Sequence, residues 1–184
     1  MLGLPIESLF CTLLGVTVSE VAEDHPIMLE AGIYGDGFII AAYHEPMLSP
    51  IVISHEYAGN MPWYPAYCLL DSSNIQKPVP TITVMNSGPC VPEFDAFDDG
   101  YHSYLFDPAT FRLVMVCSDG LGSFSHADGS AVSPSELAQD LCAVKVTSPQ
   151  FIQRRLNALR RKEWKEFSHF DDFSVAAVIG KDEQ

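Results

Sequence analysis

The sequence predicts an α+β fold in which antiparallel sheet is covered by helices. Two observations predict it. Short β-rich stretches, separated by Gly, Pro, Asn and Asp, occupy the chain up to Cys117. Two helices with recognisable start signals follow, and one apolar strand closes the order. Two such sheets packed together with helices outside make an α-β-β-α sandwich, and residues 1–184 are expected to form one domain.

Phe10 to Glu20 reads as the first strand, because β-branched and apolar residues dominate it. Met28–Tyr34 and Phe38–Tyr43 read as two strands around a tight turn, Tyr34-Gly35-Asp36-Gly37, which is a hairpin signal. Ile51-Val52-Ile53 suggests another short strand, and Gly59 to Gln76 a loop with some local structure. Thr81 to Met85 alternates polar and apolar side chains, as a half-buried strand does. Asn86 to Gly100, with two prolines and four acids, reads as an acidic surface loop. Ser103–Phe106 and Arg112–Cys117 read as paired strands around the turn Asp107-Pro108-Ala109-Thr110.

Ser133, Pro134 and Glu136 spell an N-cap, a first helical position and a capping box, so a helix is expected from there to about Val144. Ser148-Pro149 opens a second helix running to about Phe167. Its apolar face carries Phe151, Ile152, Leu156 and Leu159, and its other face Arg154, Arg155, Arg161, Lys162 and Lys165. Phe173 to Ile179 is apolar almost throughout, as a central strand buried on both sides would be.

Composition excludes several classes. Ten basic against 24 acidic residues give a net charge of −14, a field that repels nucleic acid and anionic membrane surfaces. No run of roughly 18 apolar residues offers a membrane span. The N-terminus lacks the basic-then-apolar order of a secretory signal, so a cytoplasmic protein is expected. The five cysteines form no C-x-x-C pair, the six histidines no H-E-x-x-H, and neither a nucleotide loop nor G-x-S-x-G is present. An acidic enzyme acting on phosphate esters needs local cations, and metals held by clustered carboxylates would supply them.

Three stretches could build such a cluster. In Val116-Cys-Ser-Asp-Gly-Leu121 a buried strand ends at Asp119, beside Gly120. Phe170-Asp-Asp-Phe-Ser-Val175 places Asp171 and Asp172 at the start of a strand, and Asp36 sits in the Gly-Asp-Gly turn. Each is also an ordinary turn or loop signal. Together they put three aspartates at strand ends, the hard oxygen ligands that Mg²⁺ and Mn²⁺ favour.

In this order, the stretches resemble the metal-dependent serine/threonine protein phosphatases of the 2C type (PPM family). Phe10-Cys-Thr-Leu-Leu-Gly15 is similar to the family's Thr-Leu strand, Tyr34-Gly-Asp-Gly37 to its Gly-Asp hairpin, and Ser118-Asp-Gly120 to its Ser-Asp-Gly motif. Asp171-Asp-Phe-Ser174 stands where the family has Asp-Asn-x-Thr/Ser, a register that selects Asp171 over Asp172. The resemblance implies the α-β-β-α fold and a binuclear Mn²⁺ or Mg²⁺ site between its sheets, acting on phosphoserine or phosphothreonine of a phosphoprotein substrate. It makes Asp119 and Asp171 metal ligands, gives Asp36 with Asp119 a third, weaker metal, and sets Gly120 where the chain passes close to the site. The chain corresponds to the C-terminal two-thirds of the family's domain. The family's early Asp-Gly motif and phosphate-gripping Arg find no counterpart, since Glu7 is the sole acid among the first nineteen residues. A separate or missing N-terminal segment is therefore expected to complete the site, and an unpaired sheet edge to favour a dimer. The alternative is a phosphatase-like module that binds a partner without catalysis. Six of the ten basic residues lie between Arg154 and Lys165, as a solvated helix face or a dock for an acidic partner.

Overall fold

All seven residues of the strand Gly37–Tyr43 are buried, which places it between two covering layers. The computed structural model describes residues 12–20, 27–60, 62, 64–68, 77–86, 88–90, 92–97, 100–145, 150–162, 167–168 and 171–180. Its strands are β1 (Leu13–Glu20), β2 (Ile27–Tyr34), β3 (Gly37–Tyr43), β4 (Ile51–Glu56), β5 (Thr81–Met85), β6 (Glu93–Ala96), β7 (His102–Phe106), β8 (Phe111–Cys117), β9 (Ser125–His126), β10 (Phe167–Ser168) and β11 (Val175–Ile179). The helices are α1 (Pro134–Cys142) and α2 (Phe151–Lys162). Five strands form one sheet in the order β11-β8-β3-β4-β5, and four form a second in the order β1-β2-β7-β6. Every pairing is antiparallel, and β9 with β10 makes a small separate ribbon.

The period of two along each strand divides the core. Phe38, Ile40 and Ala42 of β3, with Leu113, Met115 and Cys117 of β8, face the helices and meet Leu137, Ala138, Leu141 and Cys142 of α1. Ile39, Ala41 and Tyr43, with Val114 and Val116, face the four-stranded sheet and meet Leu29, Ala31, Ile33, Tyr104 and Phe106. Phe151, Ile152 and Leu156 of α2 pack on the helix-side core, as their spacing predicts. Among the described residues the layers therefore run helix, sheet, sheet. The class is α+β with two antiparallel sheets, and a helical layer outside the four-stranded sheet is not part of the described residues.

The strand positions follow the sequence closely, but the partners do not. The expected hairpins at Tyr34–Gly37 and Asp107–Thr110 are both crossings between sheets: β2 and β7 pair in one sheet, while β3 and β8 pair in the other. A turn signal is local, whereas burial on both faces draws β3 and β8 to the centre of the larger sheet. The expected acidic loop contains β6, whose four residues are all exposed and pair with β7. Closing strand β11 is an edge, paired among the described residues to β8 alone and mostly half-buried, with Val175, Ala177 and Ile179 packed toward the helices and Val178 toward the other sheet.

Helix α1 starts as expected, with the Ser133 hydroxyl accepting from the Ser135 N–H at 3.3 Å. Glu136 does not complete the capping box; it reaches His126 at 3.9 Å instead. The helix ends at Cys142, two residues short of Val144. Arg155 leaves the expected solvent face, is half-buried, and donates to the Asp140 carbonyl. Helix α2 is described to Lys162, and Phe167, its expected end, lies in strand β10 instead; the Ser148-Pro149 opening, Cys11 and residues 163–166 lie outside the described residues. No helix of the described residues is long and apolar enough to cross a membrane.

Candidate metal centre

Strand register alone brings the three aspartates together. In the antiparallel pair β3–β8, Phe38 stands opposite Cys117, so the start of β3 lies beside the end of β8. Val175 also stands opposite Cys117, which sets the start of β11 on the other flank. Asp36 precedes β3, Asp119 follows β8 and Asp171 precedes β11, so all three arrive at one end of the sandwich. Gly37 stands opposite His55, and so the end of β4 joins them. These ends enclose an open cleft of about 390 Å³, lined by Asp36, His55, Glu56, Tyr57, Asp119 and Asp171 among others.

Local contacts fix each carboxylate. The Thr12 hydroxyl donates to Asp36 Oδ1 at 2.8 Å, which ties the turn to the chain just before β1. Gly37 carries φ 146° and lies so close to β8 that a Cβ there would stand 2.7 Å from the Cys117 carbonyl oxygen. Ser118 stitches the other two motifs together. Its hydroxyl donates to the Asp172 carbonyl at 3.1 Å and accepts from the Ser174 N–H at 2.9 Å, and its own N–H donates to the Ser174 carbonyl at 3.0 Å. Asp171 accepts the Asp172 N–H on Oδ1 at 2.8 Å. Asp172, the alternative ligand in sequence, contributes its carbonyl to Ser118 and is absent from the cleft wall.

Gly120 stands behind the cleft rather than on its wall. A Cβ there would fall 2.2 Å from the Asp172 carbonyl oxygen, so glycine is what lets the two motifs touch. Its carbonyl accepts the Ser123 hydroxyl at 2.8 Å, which closes the short 3₁₀ turn Asp119–Ser123.

The wall's electrostatics are one-sided. Asp36, Glu56, Asp119 and Asp171 line it, and among the described residues neither Lys nor Arg does. Burial, then the charges of Asp36 and Asp171, hold the Asp119 carboxyl above the usual carboxylate range. Tyr57 is pushed up to about 12, chiefly by burial and then by Asp36, and so stays a neutral hydroxyl. His55, 1% exposed, is held neutral by burial and by nearby His102, its pKa lowered to about 3. Its Nε2 meets the Tyr104 hydroxyl at 2.6 Å across the two sheets, while its Nδ1 is buried without a hydrogen-bond partner.

The donor set suits a hard, hydrated cation. Carboxylate oxygens are what Mg²⁺ and Mn²⁺ prefer, and mutual repulsion among three of them is relieved by positive charge. Among the described residues, no group of three or more His, Cys, Asp or Glu side chains is arranged to hold an ion by protein ligands alone.

Comparison of the chain with family models, with curated proteins and with solved structures finds no match. The cleft is thus read from its own residues. Sequence reasoning singled out its aspartates, each beside glycine or a second acid, but missed His55, Glu56 and Tyr57. The available signal was the same-face run Ile51, Ile53, His55, in which an apolar alternation turns polar at a strand end.

Proposed function

We propose that this protein is a divalent-cation-dependent phosphoester hydrolase of the 2C type, acting on phosphoserine or phosphothreonine of proteins. The observation that carries this reading is the convergence of Asp36, Asp119 and Asp171, from three distant stretches, on one cleft whose described wall has no cationic side chain. A phosphate ester is an anion and would be repelled there by the bare protein. Mn²⁺ or Mg²⁺, when bound, supplies the positive charge that admits the phosphate and polarises it. Asp119 and Asp171, whose segments are joined through Ser118, would hold the cation, and Asp36 would add negative charge from the β2–β3 turn. Tyr57, kept neutral on the same wall, offers an O–H donor to an anionic oxygen.

The test is Mn²⁺-dependent hydrolysis of p-nitrophenyl phosphate and of a phosphothreonine peptide by the whole chain. Turnover that needs Mn²⁺ and is lost in Asp119→Asn supports the proposal. One observation favours a second reading, a phosphatase-like module that binds a partner without catalysis: the described residues lack a complete ligand set. Folded protein with no turnover at any Mn²⁺ concentration would overturn the hydrolase proposal and support that reading instead.

A further inference from the structure

The ends of β3, β4 and β8 opposite the acidic cleft form a second open pocket, of about 380 Å³. It is bounded by Tyr43 at the end of β3, the segment 44–50, Arg112 at the start of β8, and Gln139 in the last turns of α1. Arg112 Nε donates to the Tyr43 carbonyl at 3.1 Å, and Nη2 donates to the Cys142 carbonyl at 2.7 Å. Those two nitrogens share one edge of the planar guanidinium. Its other edge, Nη1 with the second N–H of Nη2, carries no bond among the described residues, and this is the fork that grips a carboxylate in two parallel hydrogen bonds. The side chain is already pinned, so little freedom is lost on binding.

Glu45 lines the same pocket, yet neither Arg112 nor Glu45 makes an ion pair among the described residues. A cation and an anion thus stand apart on the wall of one cavity. Met47 and Leu48 line the same pocket with apolar side chains, and Met47 is 87% exposed. We infer that this pocket binds a free α-amino acid with an apolar side chain. Its carboxylate takes the open fork of Arg112, its ammonium faces Glu45, and its side chain lies on Met47 and Leu48. This site is separate from the aspartate cleft and stands whether or not that cleft hydrolyses phosphate esters.

Isothermal titration calorimetry of the whole chain with L-leucine and L-methionine tests the inference, with leucinamide and N-acetyl-leucine as ligands lacking one charge each. Saturable binding of leucine is expected, weakened about tenfold or more in either blocked derivative. Arg112→Gln should abolish it, but Arg112 also ties β3 to α1, so Glu45→Gln on the exposed loop is the second variant. It should weaken leucine about tenfold and leave the melting temperature of the free protein unchanged. Absence of leucine binding, or leucinamide or N-acetyl-leucine binding as tightly as leucine, overturns the inference.

Discussion

One hydroxyl ties together the segments that carry Asp119 and Asp171. Ser118 Oγ both donates to the Asp172 carbonyl and accepts from the Ser174 N–H, so it spans the gap between β8 and β11. Ser118→Ala removes both bonds and, with water free to take the exposed Ser174 N–H, should lower stability by about 0.5–1.5 kcal/mol in urea titration. The same change should weaken the melting-temperature rise that Mn²⁺ produces, because the two carboxylates are no longer held in step. Asp119→Asn acts differently. The native carboxyl is held above its ordinary range, so the charged form opposes folding and the opposition fades as pH falls. At neutral pH the metal-free variant should therefore be at least as stable as the parent, yet show no Mn²⁺-induced rise; thermal melts with Mn²⁺ and with a chelator separate the two effects. These aspartates were legible because an acid beside glycine at a strand end is a local pattern. His55 and Tyr57 were not, since their place on the cleft comes from the pairing of β3 with β4 and no motif marks them.

Strands show the same division between what is local and what is not. The positions of β2, β3, β7 and β8 could be read from β-branched runs between glycine and aspartate punctuation. Their partners could not, because Tyr34–Gly37 and Asp107–Thr110 look like hairpin turns while the chain uses them to pass between sheets. What settles it is burial: β3 and β8 are apolar on both faces and take the centre, while β2 and β7 present one face to the core. Strand β11 is equally apolar in sequence yet stands at an edge, and no local pattern marks that place. The open edge of β1 follows from this topology. It has eight residues and pairs only with β2 among the described residues, with no lysine or proline to guard it, and Val18 is 55% exposed. Such an edge recruits a further strand. Self-association that rises with concentration is expected by light scattering, and Val18→Lys should shift it to monomer. A parent chain monomeric at every concentration would refute this role for β1.

Across the whole molecule, pH acts through the join between the two sheets. His55 on β4 and Tyr104 on β7 are bonded there, with the His102 ring 4.9 Å from that of His55. In the unfolded chain His55 titrates near 6.5, and in the native state it takes a proton only at about 3. Between those values the unfolded state binds the extra proton, so stability is full above pH 6.5 and declines as pH falls through the window, by about 1.4 kcal/mol per pH unit for this group. Asp119 works in the opposite direction, since acid relieves its crowding as pH falls through its raised native value. Asp119 is common to parent and His55 variant, so comparing the two from pH 6.5 down to 5 isolates the histidine's contribution. His55→Gln offers an amide in place of the imidazole and has nothing to protonate. Its urea midpoint should change less than the parent's over that interval, by about 2 kcal/mol in unfolding free energy. Equal pH slopes for parent and variant would mean that the buried imidazole titrates alike in both states, and that the join between the sheets admits water.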